Sequence, residues 1–277
     1  MKILIIGAGI SGLYCAYKLY EKYGSIHQIQ IIEKSNRIGG RIQTLDIGEK
    51  KIELGAGILL ETHKNMINLL DEFQIESHPS YHKSSKYHVT LQMDQRSNQY
   101  KEIKRTDLIS GGFLDTIKNL NNLIETKKID PDVARSYSLY GLLESVYGIE
   151  TAKSISNQFG YDGDITDQNA LDGISMLMRE FGVGIYFFSN GYIEIIDKIH
   201  EFLVNHNINV QLNTECTDIH LKNNIYKCTI KGEEHCLSAD HIVLAMPKHA
   251  LCKINYLSSI KHLLNSVVSK SLMRVYL

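Results

Sequence analysis

The sequence contains no uninterrupted apolar stretch of membrane-spanning length, so no transmembrane helix is predicted. It has no excess of either charge: 30 basic residues stand against 31 acidic ones, a formal net charge of −1. That balance argues against a nucleic-acid binder and against a protein drawn to an anionic membrane surface. The small basic clusters Lys101–Arg105 and Lys127-Lys128 read as solvated faces. Cysteine is sparse. The five thiols (Cys15, Cys216, Cys228, Cys236 and Cys252) are odd in number and form no CxxC pair, as expected for reduced thiols of a cytoplasmic protein. His235-Cys236 and His249 with Cys252 lack a second matching pair, so no metal site is predicted. Met1 leads straight into the first apolar run, and no leader peptide is expected.

What is present begins at that run. Lys2–Ile6 has strand length and continues into Gly7-Ala8-Gly9-Ile10-Ser11-Gly12, then into a helical pattern through Leu13, Ala16, Leu19 and Tyr20. A second apolar run, Ile29–Ile32, closes on Glu33, 21 residues past Gly12. Strand, glycine turn, helix, strand and acid in this order form a dinucleotide fingerprint. Gly7 permits the tight turn, Gly9 lets a pyrophosphate approach bare backbone, and Gly12 lets the helix pack close to the strand. The free N–H groups of Ile10, Ser11 and Gly12, with the positive end of the helix dipole, suit phosphate oxygens. Glu33 suits a ribose 2′-hydroxyl and would repel a 2′-phosphate, which disfavours NADP. FAD and NAD both satisfy this segment.

Two further segments discriminate between them. Directly after Glu33-Lys34, Ser35–Arg41 reads Ser-Asn-Arg-Ile-Gly-Gly-Arg, and Ile52–Leu59 reads Ile-Glu-Leu-Gly-Ala-Gly-Ile-Leu. An arginine fork can neutralise a diphosphate, and neighbouring glycines admit a close ligand. Taken alone, Gly39-Gly40-Arg41 would read as a solvated turn. A plain NAD enzyme has no need of a second glycine-rich element, so FAD is favoured.

With these segments the chain resembles the flavin-containing amine oxidases, a family that includes monoamine and polyamine oxidases and histone-demethylating flavoproteins. The resemblance implies an α/β fold: a Rossmann-like FAD/NAD(P)-binding domain carrying an inserted helix-rich substrate domain. It places the first part of the FAD domain at residues 1–79, the insert at 80–190 and the second part at 191–277. The implied cofactor-binding set is Gly7, Gly9, Ile10, Ser11, Gly12, Glu33, Lys34, Gly40, Arg41, Gly55, Ala56, Gly57, Ile58 and Cys216, the last through its backbone near the adenine. Phe187–Gly191 before a helix, and Asp240–Pro247 (DHIVLAMP), extend the resemblance towards the other end of the chain. Asn190 departs from the family's glycine pair.

Between these ends the periodicity predicts helices over Thr62–Phe73, Gly111–Asn122, Ser138–Tyr147, Thr151–Phe159, Asp167–Phe181 with Asp167 as N-cap, and Tyr192–Asn205. Strands are predicted within Tyr81–Tyr100 and at Ile208–Leu212, Ile225–Ile230 and Asp240–Pro247. His78-Pro79 reads as a boundary. Tyr161, Tyr186 and Phe187 read either as core or as the lining of a substrate cavity. Lys270–Leu277 resembles the opening strand of the family's next substrate-domain section. The family's flavin-facing lysine, its aromatic pair and its second FAD segment have no counterpart in these 277 residues. No catalytic residue is assigned.

The resemblance implies an FAD-dependent oxidoreductase that moves hydride from a substrate C–N carbon to the flavin, with O2 as reoxidant and a small-molecule amine as substrate. Two alternatives stand beside it. One is a truncated, non-catalytic dinucleotide-binding relative with a protein partner. The other is a protoporphyrinogen- or phytoene-type flavin oxidoreductase.

Overall fold

Four consecutive apolar residues after Lys2 leave no polar face for water, and this run becomes the centre of a parallel sheet. The computed structural model describes residues 1–48, 50–80, 90–94, 99–103, 112–159, 162–180, 185–267 and 269. Tyr161 and Lys270–Leu277, with residues 81–89 and 95–98 of the tyrosine-bearing segment, lie outside them.

In chain order the first elements are β1 (Lys2–Ile6), α1 (Ile10–Tyr23), β2 (Gln28–Ile32), β3 (Thr44–Ile47) and β4 (Lys50–Glu53). There follow β5 (Leu59–Leu60), α2 (Lys64–Glu72), β6 (Ser77–Ser80), β7 (Thr90–Asp94) and β8 (Gln99–Ile103). A helical block comprises α3 (Gly112–Glu125), α4 (Pro131–Ser136), α5 (Leu139–Tyr147), α6 (Ile149–Phe159), α7 (Asp162–Thr166) and α8 (Ala170–Glu180). Next come β9 (Ile185–Phe188), α9 (Ile193–Asn205), β10 (Val210–Gln211), β11 (Cys216–Lys222) and β12 (Ile225–Ile230). The last described elements are β13 (Leu237–Ala239), β14 (His241–Leu244), α10 (Lys248–Leu251) and α11 (Lys261–Ser266).

The chain separates into two units. One comprises Met1–Leu59, Asn65–His78 and Tyr186–Leu277; the other comprises Leu60–Lys64 and Pro79–Ile185. The first unit is built on the sheet β10-β2-β1-β14, parallel throughout, with Ile5 opposite Ile31 on one side and Val243 on the other. Chain direction across the sheet reverses at β1, a topological switch point of the kind that binds ligands beyond the strands' carboxyl ends. Alternate residues of β1 feed two cores. Ile3 and Ile5 pack with Leu13, Ala16 and Tyr17 of α1 and with Ile195, Ile196, Ile199 and Leu203 of α9. Leu4 and Ile6 pack on the other face with Ile219, Cys228 and Ile230 of the antiparallel sheet β11-β12-β13. Tyr17 locks α1 to α9 by meeting the Phe202 ring edge-on at 4.8 Å. Such a pair contributes about 0.5–1.5 kcal/mol beyond its buried area.

The second unit buries Ile117 and Leu120 of α3, Leu139, Leu142 and Leu143 of α5, Ile155 of α6, and Ile174 and Leu177 of α8 in one helical core. Its helix starts are capped from the sequence. The Asp130 carboxylate accepts from Asp132 N, with Pro131 at the first helical position, and Ser138 Oγ accepts from Gly141 N at 3.0 Å. For α8 the cap is Asn169, whose Oδ1 accepts from Asp172 N at 3.0 Å, and not Asp167 as the sequence pattern predicted. The helix therefore begins at Ala170, three residues later than expected. Within the tyrosine-bearing segment, β7 and β8 pair antiparallel.

Two other elements are shorter than predicted, for local reasons. The strand expected over Ile208–Leu212 contracts to Val210–Gln211 because Asn207 (φ 60°) and Asn213 (φ 54°) turn the chain at either end. Helix α2 ends at Glu72, and Gln74 (φ 53°) then reverses the chain.

Candidate functional site

The predicted glycine turn lies at the switch point, between the ends of β1 and β14. Gly7 donates its N–H to Ile32 O at 2.8 Å and has φ +110°. A Cβ there would stand 2.5 Å from Ala245 O, so the turn both needs and protects this glycine. Gly12, in the first turn of α1, is still tighter: an added Cβ would fall 1.9 Å from Gly7 O. Gly9 differs from both. The nearest atom to an added Cβ is Gly40 Cα at 3.8 Å, and its φ of −73° suits any residue. Protein packing does not require a glycine at position 9. Its missing side chain leaves an open cradle directly over the start of α1. That start has no side-chain cap and no acidic residue in its first turn, so the N–H groups of Ile10, Ser11 and Gly12 and the helix dipole offer themselves to an anion.

The second glycine turn closes on the first. Gly39 N donates to Ala8 O at 2.9 Å, and Gly9 bridges Gly39 in parallel register. Arg37 holds this turn from within. Its guanidinium donates to Gly40 O at 2.7 Å, Ile38 O at 3.1 Å and Ile42 O at 3.4 Å. Three carbonyls that would otherwise repel one another are thereby drawn to one cation. Arg41 extends its exposed side chain outward, and its carbonyl accepts from Ala56 N at 2.9 Å. Gly55 is packed so closely on that carbonyl that a Cβ would lie 1.8 Å away. The Gly55-Ala56-Gly57 strap is therefore joined to the Gly-Gly-Arg turn through its backbone. Leu54 (45% exposed) and Ile58 (51% exposed) leave apolar surface beside it.

Glu33 lies at the end of β2, with its carboxylate oriented by three donors. Ala8 N reaches Oε2 at 2.9 Å, while Ser35 N (2.9 Å) and Ser35 Oγ (2.7 Å) reach Oε1. Partial burial pushes its pKa up. The hydrogen bonds from Ala8 and Ser35, with the neighbouring Lys34 cation, outweigh this and hold the carboxyl below its ordinary value. A depressed native pKa stabilises the fold above the unfolded-state value of about 4.3, and that contribution is lost as pH falls through the lower native value. Glu33→Gln is therefore expected to flatten the acid limb of the unfolding profile below about pH 4.3. An unchanged acid midpoint would contradict the bonding described.

The main chain of this loop is tied to the segment before β11. Thr214 N donates to Glu33 O at 2.8 Å and Asn213 N to Ser35 O at 2.9 Å. Cys216 follows two residues later, half-buried, with its side chain packed against the core of the β11-β12-β13 face. The structure thus gathers Gly7–Gly12, Glu33, Gly40, Arg41 and Gly55–Gly57 around one end of the sheet. Lys34 and Ile58 lie exposed at the margin.

Three contributors were not anticipated from the sequence: Arg37, Ser35 and the pair Thr44–Glu53. Glu53 Oε1 accepts from Tyr192 N at 2.9 Å, Thr44 Oγ1 accepts from Ile193 N at 3.1 Å, and the threonine hydroxyl donates to Glu53. Together they cap α9 from a distant hairpin, a function that α9 cannot supply from its own preceding residue. Tyr186, one of the candidate cavity residues, packs against the first unit's core, and its carbonyl accepts from Tyr192 Oη at 3.0 Å.

Chemically the site suits an anionic dinucleotide. An empty cradle above an uncapped helix start, an exposed arginine next to a glycine turn, and an ionised carboxylate lie along one path. Among the described residues no group of three His, Cys, Asp or Glu is arranged to hold a metal ion. No helix among them is long and apolar enough to cross a membrane.

Comparison with known proteins gives a consistent picture. The family model described as "Flavin containing amine oxidoreductase" matches residues 10–264. A probable polyamine oxidase 5 from Arabidopsis thaliana is 46% identical over 55 residues, covering 20% of this chain and 10% of the relative. A probable flavin-containing monoamine oxidase A from Dictyostelium discoideum is 27% identical over 148 residues, 53% of this chain and 25% of the relative. Among solved structures, a triple mutant of putrescine oxidase redesigned in its cofactor binding superposes with a TM-score of 0.66 at 17% identity, over 92% of this chain and 59% of that one. The match to each of these proteins spans less than two thirds of its length.

Proposed function

The chain belongs to the flavin-containing amine oxidoreductase family, and from that membership we propose that it holds FAD along the two glycine turns and oxidises a small-molecule amine. FAD is the standard cofactor of this family. When bound, it supplies the hydride acceptor for oxidation of a C–N bond, with dioxygen restoring it. The chain's own residues have binding and orienting tasks. The N–H groups of Ile10, Ser11 and Gly12 would bind the pyrophosphate, Gly9 and Gly40 would let it approach, and Arg41 would neutralise it. Glu33, locked by Ser35 and Ala8 N, would accept from the adenosine ribose, and Lys34 would add positive charge at that end. The backbone at Cys216 would border the adenine. Gly55, Ala56, Gly57 and Ile58 would lie under the ring system, where their small and apolar surface excludes water.

The observation that carries this reading is the cradle at Gly9, where the fold would accept a side chain and the sequence has none. The test is the visible absorption spectrum of the purified chain, with the released cofactor identified chromatographically. A bound-FAD spectrum that bleaches anaerobically on adding an amine is expected. A colourless chain that cannot be reconstituted with FAD would overturn the proposal in favour of a non-catalytic relative.

A further inference from the structure

None of the tasks above uses a thiol, yet two of the five cysteines face one another in the antiparallel sheet. We propose that Cys216 and Cys228 form an oxidisable dithiol, a modification site that hydrogen peroxide converts to a disulfide.

The register carries the proposal. Along β11 and β12, Ile219 is opposite Cys228 and Asp218 is opposite Thr229. Continued without interruption, that register would set Cys216 opposite Lys231, with its side chain on the face away from Cys228. It does not continue. The ladder slips between Cys216 and Asp218, and Cys216 pairs with Ile230 instead. A bulge of this kind re-aims a side chain. It moves Cys216 one position nearer to Cys228 and turns it to the same face. Both sulfurs consequently enter one apolar cluster with Ile219 and Ile230.

The two thiols are unequal in the way such chemistry needs. Cys228 is fully buried and Cys216 half-buried, so the oxidant meets Cys216 first. The Cys228 thiol, hydrogen-bonded to the Cys216 sulfur, holds Cys216 below the ordinary thiol value and is itself pushed up. Cys236 is not a competitor. It is exposed, and its sulfur lies 3.7 Å from Oγ1 of Thr229, the neighbour of Cys228 whose side chain takes the opposite face. Cys15 packs in the other core of this unit.

The reaction balances in two steps. The Cys216 thiolate attacks peroxide, forming an S–O bond as the O–O bond breaks and hydroxide leaves. The Cys228 sulfur then displaces the sulfenic oxygen: an S–S bond forms, the S–O bond breaks, and the departing hydroxide leaves as water with the thiol proton. The two sulfurs lose two electrons in total and peroxide gains them. Cys216 follows closely on Thr214, whose N–H is bonded to Glu33 O, so the bridge would fix the start of β11 next to the ribose-binding loop.

The test is a non-reducing peptide map of the full chain after treatment with hydrogen peroxide and alkylation of the remaining thiols. Expected is a cross-linked pair holding Cys216 and Cys228, lighter by about 2 Da than the two reduced peptides and restored by dithiothreitol. Cys15 and Cys252 should remain alkylated. In Cys228→Ser, Cys216 should stop as a sulfenic acid that dimedone traps. Alkylation of both Cys216 and Cys228 after peroxide, a bridge from either to Cys236, or over-oxidation of Cys216 with Cys228 free would each overturn the proposal. The unsubstituted chain decides the matter even where the variant fails to fold.

Discussion

Gly9→Val is expected to yield a folded chain without flavin. The backbone at position 9 has φ −73° and ψ 176°, which valine adopts without strain, and the nearest atom to the new Cβ is 3.8 Å away. The stability cost should be no more than about 1 kcal/mol, because the change removes only a favoured N-cap residue. The isopropyl group, however, fills the space over the N–H groups of Ile10, Ser11 and Gly12. Phosphate oxygens could then no longer reach them. A loss of at least about 100-fold in FAD affinity is expected, or about 2.8 kcal/mol at about 1.4 kcal/mol per tenfold. Flavin content after reconstitution and the thermal midpoint, measured on the same preparation, check both halves. Undiminished flavin in a folded variant would remove this cradle from the site.

This contrast between glycines is also where sequence and structure divide. The fingerprint from Lys2 to Glu33 was legible because its parts are local: strand period, glycine spacing, helical period and acid all fall within 33 residues. The Gly39–Arg41 turn and the Gly55–Gly57 strap were legible as composition. What joins them was not. Arg37 reads as a surface charge until the fold brings the carbonyls of Ile38, Gly40 and Ile42 around it. Glu53 reaches Tyr192 across 139 residues and Thr44 reaches Ile193 across 149, distances over which no spacing rule operates. The slip before Asp218 is likewise invisible in an alternating strand pattern, although it decides which face Cys216 takes. Local errors had local causes: Asn169 competed with Asp167 for the cap of α8, and two asparagines at positive φ shortened β10.

Gly12→Ala should act on the fold where Gly9→Val spares it. The added Cβ would lie 1.9 Å from Gly7 O, 3.1 Å from Gly7 C and 3.2 Å from Ala245 Cβ. The first two are backbone atoms at the end of the central strand and have no rotamer through which to yield. Relief requires α1 to move away from β1, and α1 carries Leu13, Ala16 and Tyr17 into the core it shares with α9. Overpacking costs of about 1–3 kcal/mol are usual, and a collision with backbone belongs at the upper end. The gain in helix propensity of alanine over glycine, about 1 kcal/mol, does not offset it, because the position lies in the first turn where that preference is weakest. A net loss of about 3 kcal/mol would lower the thermal midpoint by roughly 6–12 °C in a chain of this size. It would remove a large part of a stability that is commonly about 5–15 kcal/mol. Flavin should be lost with it, since the helix start that faces the cradle moves as well. A Gly12→Ala chain as stable as its parent would show that α1 does not pack on the Gly7 turn as described. The pair of variants then separates a glycine kept for the fold from one kept for the ligand.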